Sequence, residues 1–334
     1  MLIYNLADIF HYATIIFYFR PKICPKQNFE SAKLTEIHGD VVTPFERKIA
    51  WRLSGTGKKR LLKYNLVHCT VLLLIGEAKL KSPIIATVDQ LIQEPYALVL
   101  CFPKPSEAEL QNRLEELRSL GVTALEFFGK ASVFGVPLPV LGKGFVGIVV
   151  IAHLNGQKVA VKIRRVDADR EDLLHEARML TKANSANVAP KLVAASKNFL
   201  LMQLIDGDLL PDWLKTDRDK VAVMRVLGEV LEQCFRMDEI GLDHGELSKA
   251  PKHVIVDRQM KPWIVDFETA SDARNPSNVS AMGSFLFTSA GEVARNVAVV
   301  FGERNKEEIV AAMKNYRKER TRLSFERVLQ VCLG

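Results

Sequence analysis

The sequence predicts an α+β fold of two unlike lobes, one strand-rich and the next helix-rich. Three observations predict it. Short apolar, β-branched runs separated by turn residues dominate residues 122–205. Within them, LGKGFVGIVVIAHL and QKVAVKIRRV flank Asn155-Gly156, a strong two-residue hairpin signal. Residues 217–240 and 305–331 then read as helices, and strands followed by helices along one chain indicate segregated layers.

The chain has 334 residues, enough for one large domain or two modest ones. Its composition, 48% hydrophobic and 25% charged, is that of a soluble globular protein. The net charge of +7 points to an anionic partner such as nucleotide, RNA or an acidic protein, or else to a solvated basic surface. Cys24, Cys69, Cys101, Cys234 and Cys332 are scattered, odd in number and without a CxxC pair. A disulfide framework or zinc site is therefore not expected, and a reducing, cytoplasmic location is.

The opening run MLIYNLADIFHYATIIFYF is apolar, but Asp8 and His11 interrupt it. A central Asp costs about 2.5–3.5 kcal/mol on insertion scales, so a membrane anchor is not expected. A buried hairpin or a start codon placed too far upstream fits better, and no basic n-region or cleavage site marks a signal peptide. GTGKKR at 55–60 lacks the spacing of a Walker-type phosphate loop and reads as a basic loop. Residues 1–83 are thus an N-terminal extension of uncertain character.

The next segment, 84–121, reads as an accessory strand and helix. YALVLCF (96–102) is a short apolar run and is expected to be a strand. Ser106, with Glu109 three residues on, opens a helix as a capping box. Leu110, Leu114, Leu117 and Leu120 form its packing stripe, and Gly121 ends it. ALEFFG (124–129) and ASVFGVPLPV (131–140) follow as strands with turns. A helix over about 169–183 presents Leu173, Leu174, Ala177 and Leu180, and NFLLMQLI (198–205) is a buried strand.

Gly142, Gly144 and Gly147 lie in LGKGFVGIVV. The β-branched run after them favours a strand over a helix, so this GxGxxG sits in a hairpin, where backbone N–H groups can cover phosphates. Alone it could be no more than a glycine-rich turn. Lys162 in VAVK follows 15 residues after Gly147, and Val159 and Val161 alternate with it, so its ammonium leaves on the face opposite the valines. A strand lysine among apolar residues needs an anionic partner. Glu176, at the edge of the packed stripe of the next helix, can supply one. GLDHGELSKAPKHVIV (241–256) and WIVDFE (263–268) place Glu246 in a loop and Asp266 after a strand hairpin, where a carboxylate can hold Mg²⁺.

Glycine loop, strand Lys, helix Glu, His-Gly-acid loop and Asp-Phe occur in one order that resembles the protein-kinase-like superfamily. HGELS and the non-glycine Glu268 after Asp-Phe most resemble its compact atypical branch, the RIO kinases and the small kinase of the KEOPS tRNA-modification complex. The resemblance covers roughly residues 122–280. It implies a two-lobed protein-kinase-like fold over 122–334, with an N-lobe to about 205 and a short C-lobe from about 206. It implies that Gly142, Lys143, Gly144, Gly147 and Val149 enclose ATP and that Lys162, held by Glu176, contacts its α- and β-phosphates. Met202 would guard the adenine pocket, Gln203, Leu204 and Ile205 would form the hinge, Asp266 would hold Mg²⁺ or Mn²⁺, and Glu246 would stand where the family has its catalytic Asp. The implied activity is transfer of the γ-phosphate to Ser or Thr hydroxyls of protein, including the chain's own. An ATPase acting in RNA or tRNA processing and a nucleotide-binding pseudokinase scaffold are the alternatives.

Two departures bear on this. Glu for Asp keeps the carboxylate, with reference pKa values about 0.4 unit apart, and changes mainly reach. The family's metal-binding Asn position, five residues on, is Pro251; counting thirteen back from Asp266 gives His253 instead. His253 could ligate a metal, touch a phosphate as a donor or be purely structural. No Ala-Pro-Glu segment or long activation loop follows Asp266. The basic run KNYRKERTR (314–322) is either a solvated face or, as the resemblance implies, a contact for RNA or a ribonucleoprotein.

Overall fold

The computed structural model describes residues 83–216 and 218–334. The apolar opening run, the GTGKKR loop, Cys24 and Cys69 lie outside the described residues. The described part begins with β1 (Ile84–Thr87), a 3-10 turn, α1 (Tyr96–Leu100) and α2 (Glu107–Ser119). The expected strand at 96–102 is therefore a helix. A short apolar run buries itself equally well in either form, and its period does not discriminate. Ser106 caps α2 by accepting from the Glu109 N–H, but the Glu109 carboxylate turns forward to Arg113 and does not close a capping box.

Strands β2 (Val122–Phe127), β3 (Ala131–Val133), β4 (Val136–Val140), β5 (Gly142–Lys143), β6 (Gly147–Leu154) and β7 (Gln157–Arg164) follow. The β6–β7 turn is Asn155-Gly156 with φ of 50° and 76°, the paired positive values that this dipeptide favours. After α3 (Leu174–Ser185) come β8 (Leu192–Ala195) and β9 (Phe199–Gln203). The antiparallel main sheet runs β1-β2-β6-β7-β9-β8, with β5 added beside β6. One apolar core lies under this sheet and includes Val159 and Val161, along with Leu110, Leu114 and Leu117 of α2.

Arg113 ties α2 to that sheet. It is fully buried and donates to Glu109 (2.7 Å), Leu100 O (2.7 Å), Arg164 O and Asn198 Oδ1 (3.2 Å). Arg113→Met keeps much of the volume but strands two carbonyls and a carboxylate. It is expected to cost about 3 kcal/mol or more, read as a lower denaturant midpoint at unchanged slope.

The second part holds β10 (Gly207–Leu209), α4 (Leu210–Trp213), α5 (Lys220–Glu239), β11 (Val254–Asp257), β12 (Pro262–Ile264), α6 (Asn278–Gly283), α7 (Glu292–Phe301), α8 (Lys306–Glu319) and α9 (Arg322–Leu333). The expected single helix over 305–331 is two, broken where Arg320 takes φ 50° and Thr321 caps α9. A second apolar core joins α5 to α9 and takes in the inner face of α3, including Leu173, Ala177 and Leu180. Leu174 is the exception on that expected stripe; it is exposed. Among the described residues no helix is long and apolar enough to cross a membrane.

Candidate active site

The register of the sheet brings the glycine loop to Lys162. Gly142 lies opposite Val149 and Val149 opposite Lys162. The loop closes with Gly144 N donating to Gly147 O at 2.8 Å. Of its three glycines, Gly147 is the one the surrounding protein demands. A Cβ there would stand 2.9 Å from both Ile163 O and Lys162 Cγ. Gly147 therefore makes room for the lysine stem. Lys143 and the loop tip at Phe145 are exposed.

Lys162 leaves β7 on the face away from the core valines, and its ammonium meets three carboxylates. The distances are 2.8 and 3.0 Å to the two oxygens of Glu176, 2.9 Å to Asp266 and 2.8 Å to Glu268. Burial opposes the lysine charge, but Glu176, Asp266 and Glu268 outweigh it and raise the pKa. Burial pushes the Glu176 carboxyl up, and Asp266 and Glu268 add to the push against the pull of Lys162. Burial works the same way on Asp266, but there Lys162 prevails and holds the carboxyl below its usual range. Helix α3 is locked into this arrangement by His175, whose Nε2 donates to Ala270 O at 2.8 Å, just beyond Asp266.

Asp266 sits at φ 71°, a left-handed conformation uncommon for a side-chain-bearing residue. Asp tolerates it better than most, and such strain concentrates where a side chain must be aimed. The His-Gly-Glu loop is pinned from below. Asn278 Oδ1 accepts from His244 N at 2.9 Å, Thr269 Oγ1 donates to His244 O at 3.0 Å, and Asp243 exchanges backbone bonds with Ser271. Glu246 is half-exposed at the edge of this loop. His253 stands between the two acids, its Nε2 at 3.5 Å from Glu246 and 3.7 Å from Asp266.

His244 is wholly buried beside Phe267, and its Nε2 donates to Val265 O at 3.1 Å. Burial lowers its pKa to about 4, with the neighbouring His253 acting the same way and Val265, Asp266 and Asp243 opposing. The unfolded chain protonates this imidazole near pH 6.5, whereas the folded chain resists. Stability fully present above about pH 6.5 should therefore be lost as pH falls toward 4, by up to roughly 3 kcal/mol. Denaturation curves against pH should lose this component in His244→Asn.

Met202 is half-buried on β9, and the chain leaves the sheet after Gln203. Gln203 N is already committed to Lys191 O at 2.8 Å. Among the described residues, the backbone groups of Leu204 and Ile205 pair with no other protein group. The basic run 314–322 is less free than its composition suggests. Tyr316 is buried on Asp238, Arg320 donates to Pro276 O, and Arg322 pairs with Glu232 and Glu326.

Glu268 is the site residue that the sequence reading left without a role. Its signal was an acid directly after Asp-Phe. Ligand oxygens of Glu176, Asp266 and Glu268 all lie within 4.8 Å of one another. An all-carboxylate set suits a hard divalent cation such as Mg²⁺ or Mn²⁺. His253 lies beside this set rather than in it.

An uncharacterized protein of Methanocaldococcus jannaschii is 26% identical over 97 residues, which are 29% of this chain and 79% of that protein. Residues 153–283, somewhat under half of the chain, match the family model of the RIO domain, a domain of the atypical protein-kinase-like superfamily, and this supports a kinase- or ATPase-type use of ATP.

Proposed function

We propose that the protein is an ATP-dependent phosphotransferase that passes the γ-phosphate to Ser or Thr hydroxyls of protein, its own included. The observation that carries this reading is the meeting of Lys162 with Glu176, Asp266 and Glu268 within 3.0 Å, from stretches more than a hundred residues apart in part. Three carboxylates around one ammonium leave excess negative charge in a half-buried place. Asp266 and Glu268 would hold Mg²⁺ or Mn²⁺ there, and the cation would neutralise charge developing on the phosphates. Lys162, steadied by Glu176, turns toward the α- and β-phosphates. Gly142, Gly144 and Gly147 shape the loop that lies over the phosphates, Gly144 by closing it on Gly147 O, with Lys143 and Val149 beside them. Leu204 and Ile205 present free backbone groups to the adenine edge, with Met202 behind it. Glu246, open to solvent, orients the acceptor hydroxyl.

Transfer of label from γ-labelled ATP tests this. Wild-type protein should label itself or an added protein. Glu246→Gln should reduce labelling about 100-fold while sparing ATP binding, because positioning is the main contribution of that acid. Unchanged labelling would remove Glu246 from the mechanism.

A second reading is an ATPase that drives a step in an RNA-processing assembly. The observation favouring it is the short connection from Asp266 to α6 at Asn278, which leaves little chain for a peptide-docking platform. Free phosphate without labelled protein would select it.

A further inference from the structure

Glutamate carries one more rotatable bond than aspartate, so a half-exposed Glu246 has more orientations to lose before it can aim at an acceptor hydroxyl. Among the described residues its carboxylate makes no hydrogen bond, and its one ionic neighbour is the His253 ring, with Nε2 at 3.5 Å from Oε2. That ring is fixed. His253 is 8% exposed, its backbone N–H donates to Ala250 O at 3.3 Å, and its carbonyl accepts from Val265 N at 3.0 Å. These bonds seat it one step beyond the Val254–Ile264 pair of β11 and β12. The His244 ring lies against it, with centroids 5.4 Å apart.

The surroundings decide which ring nitrogen carries the proton. Nδ1 is buried and has no hydrogen-bond partner. Nε2 faces Glu246 and, at 3.7 Å, Asp266. A proton on Nδ1 alone would strand a buried donor and turn the Nε2 lone pair toward two carboxylates. A proton on Nε2 turns a donor toward both acids. Both distances exceed a hydrogen bond, as is common at a site without its substrate, and a shift of the Glu246 side chain by about half an ångström closes the contact. We propose that His253 is a positioning residue, whose Nε2–H holds the Glu246 carboxylate aimed at the acceptor hydroxyl. Its share in turnover rests on the phosphotransfer reading; the contact between ring and acid does not. Metal ligation, by contrast, would need a bare Nε2.

Two measurements test this. The first is ¹H–¹⁵N long-range correlation of the histidine rings in the full chain, without nucleotide or metal. His253 should show a protonated Nε2, and Glu246→Gln should move that resonance more than any of His244. The second is label transfer from γ-labelled ATP. His253→Leu should lower kcat about tenfold, with KM for ATP and the half-maximal Mg²⁺ concentration unchanged. His253→Gln, whose amide donates from nearly the place of Nε2, should recover most of that loss. In a Glu246→Gln background, His253→Leu should cost less than about twofold, because the group it serves is already gone. The proposal is overturned by a proton on Nδ1, by an Nε2 signal indifferent to Glu246→Gln or by a raised half-maximal metal concentration. No recovery in His253→Gln, or equal losses in both backgrounds, would mark a merely structural ring and overturn it too. A parent that labels no protein would end the phosphotransfer reading, and the positioning role with it, while the ring measurement would still decide the contact.

Discussion

Asp266→Asn lowers ATP turnover by about a thousandfold, the scale reached when a group aimed at developing charge is removed. The substitution keeps the side chain's shape and its tolerance of φ 71°, so the fold survives. What is lost is the charge, and with it the most exposed of the three partners of Lys162. Metal dependence should change as well. Glu268 remains, so the variant should still bind a divalent cation but more weakly, with the half-maximal Mg²⁺ or Mn²⁺ concentration shifted upward. Turnover measured against metal concentration checks both points, and an unshifted metal curve would take Asp266 out of the cation site.

Lys162→Met should affect stability and activity together. The ammonium is about 95% buried and holds three carboxylates near one another. Without it those acids repel within a site partly closed to water, and the variant should lose about 3–5 kcal/mol. ATP turnover should also fall by about a hundredfold or more, because positioning of the phosphates is lost. The distinctive expectation is rescue. Millimolar Mg²⁺ or Mn²⁺ should raise the melting temperature of Lys162→Met more than that of the parent, since the cation replaces the missing positive charge. Equal shifts in both proteins would show that the acids do not form a cation site.

The motifs were legible because each carries its chemistry in local spacing. Val159 and Val161 placed the Lys162 ammonium on the free face by strand alternation, and the stripe around Leu173, Ala177 and Leu180 placed Glu176 at its edge. Asn155-Gly156 set the hairpin that aligns Val149 with Lys162. What was not legible depends on partners distant in sequence. The run at 96–102 is apolar enough for either structure, and tertiary packing made it a helix. The break at Arg320 and Thr321 has no glycine or proline to announce it. Nothing in the sequence marks Arg113 of α2 as buried, yet it points inward because Leu100 O, Arg164 O and Asn198 meet there. Glu268 was visible as an acid but not as a neighbour of Lys162, since that needs the turn at Asp266.

The account stands on Lys162, Asp266 and Glu268 facing one metal-bound polyphosphate. Equilibrium binding of ATP to the full chain, with and without Mn²⁺ and alongside Glu268→Gln, tests this most directly. The predicted result is tighter binding with the metal and loss of most of that gain in Glu268→Gln. ATP affinity that ignores both the metal and Glu268 would contradict it.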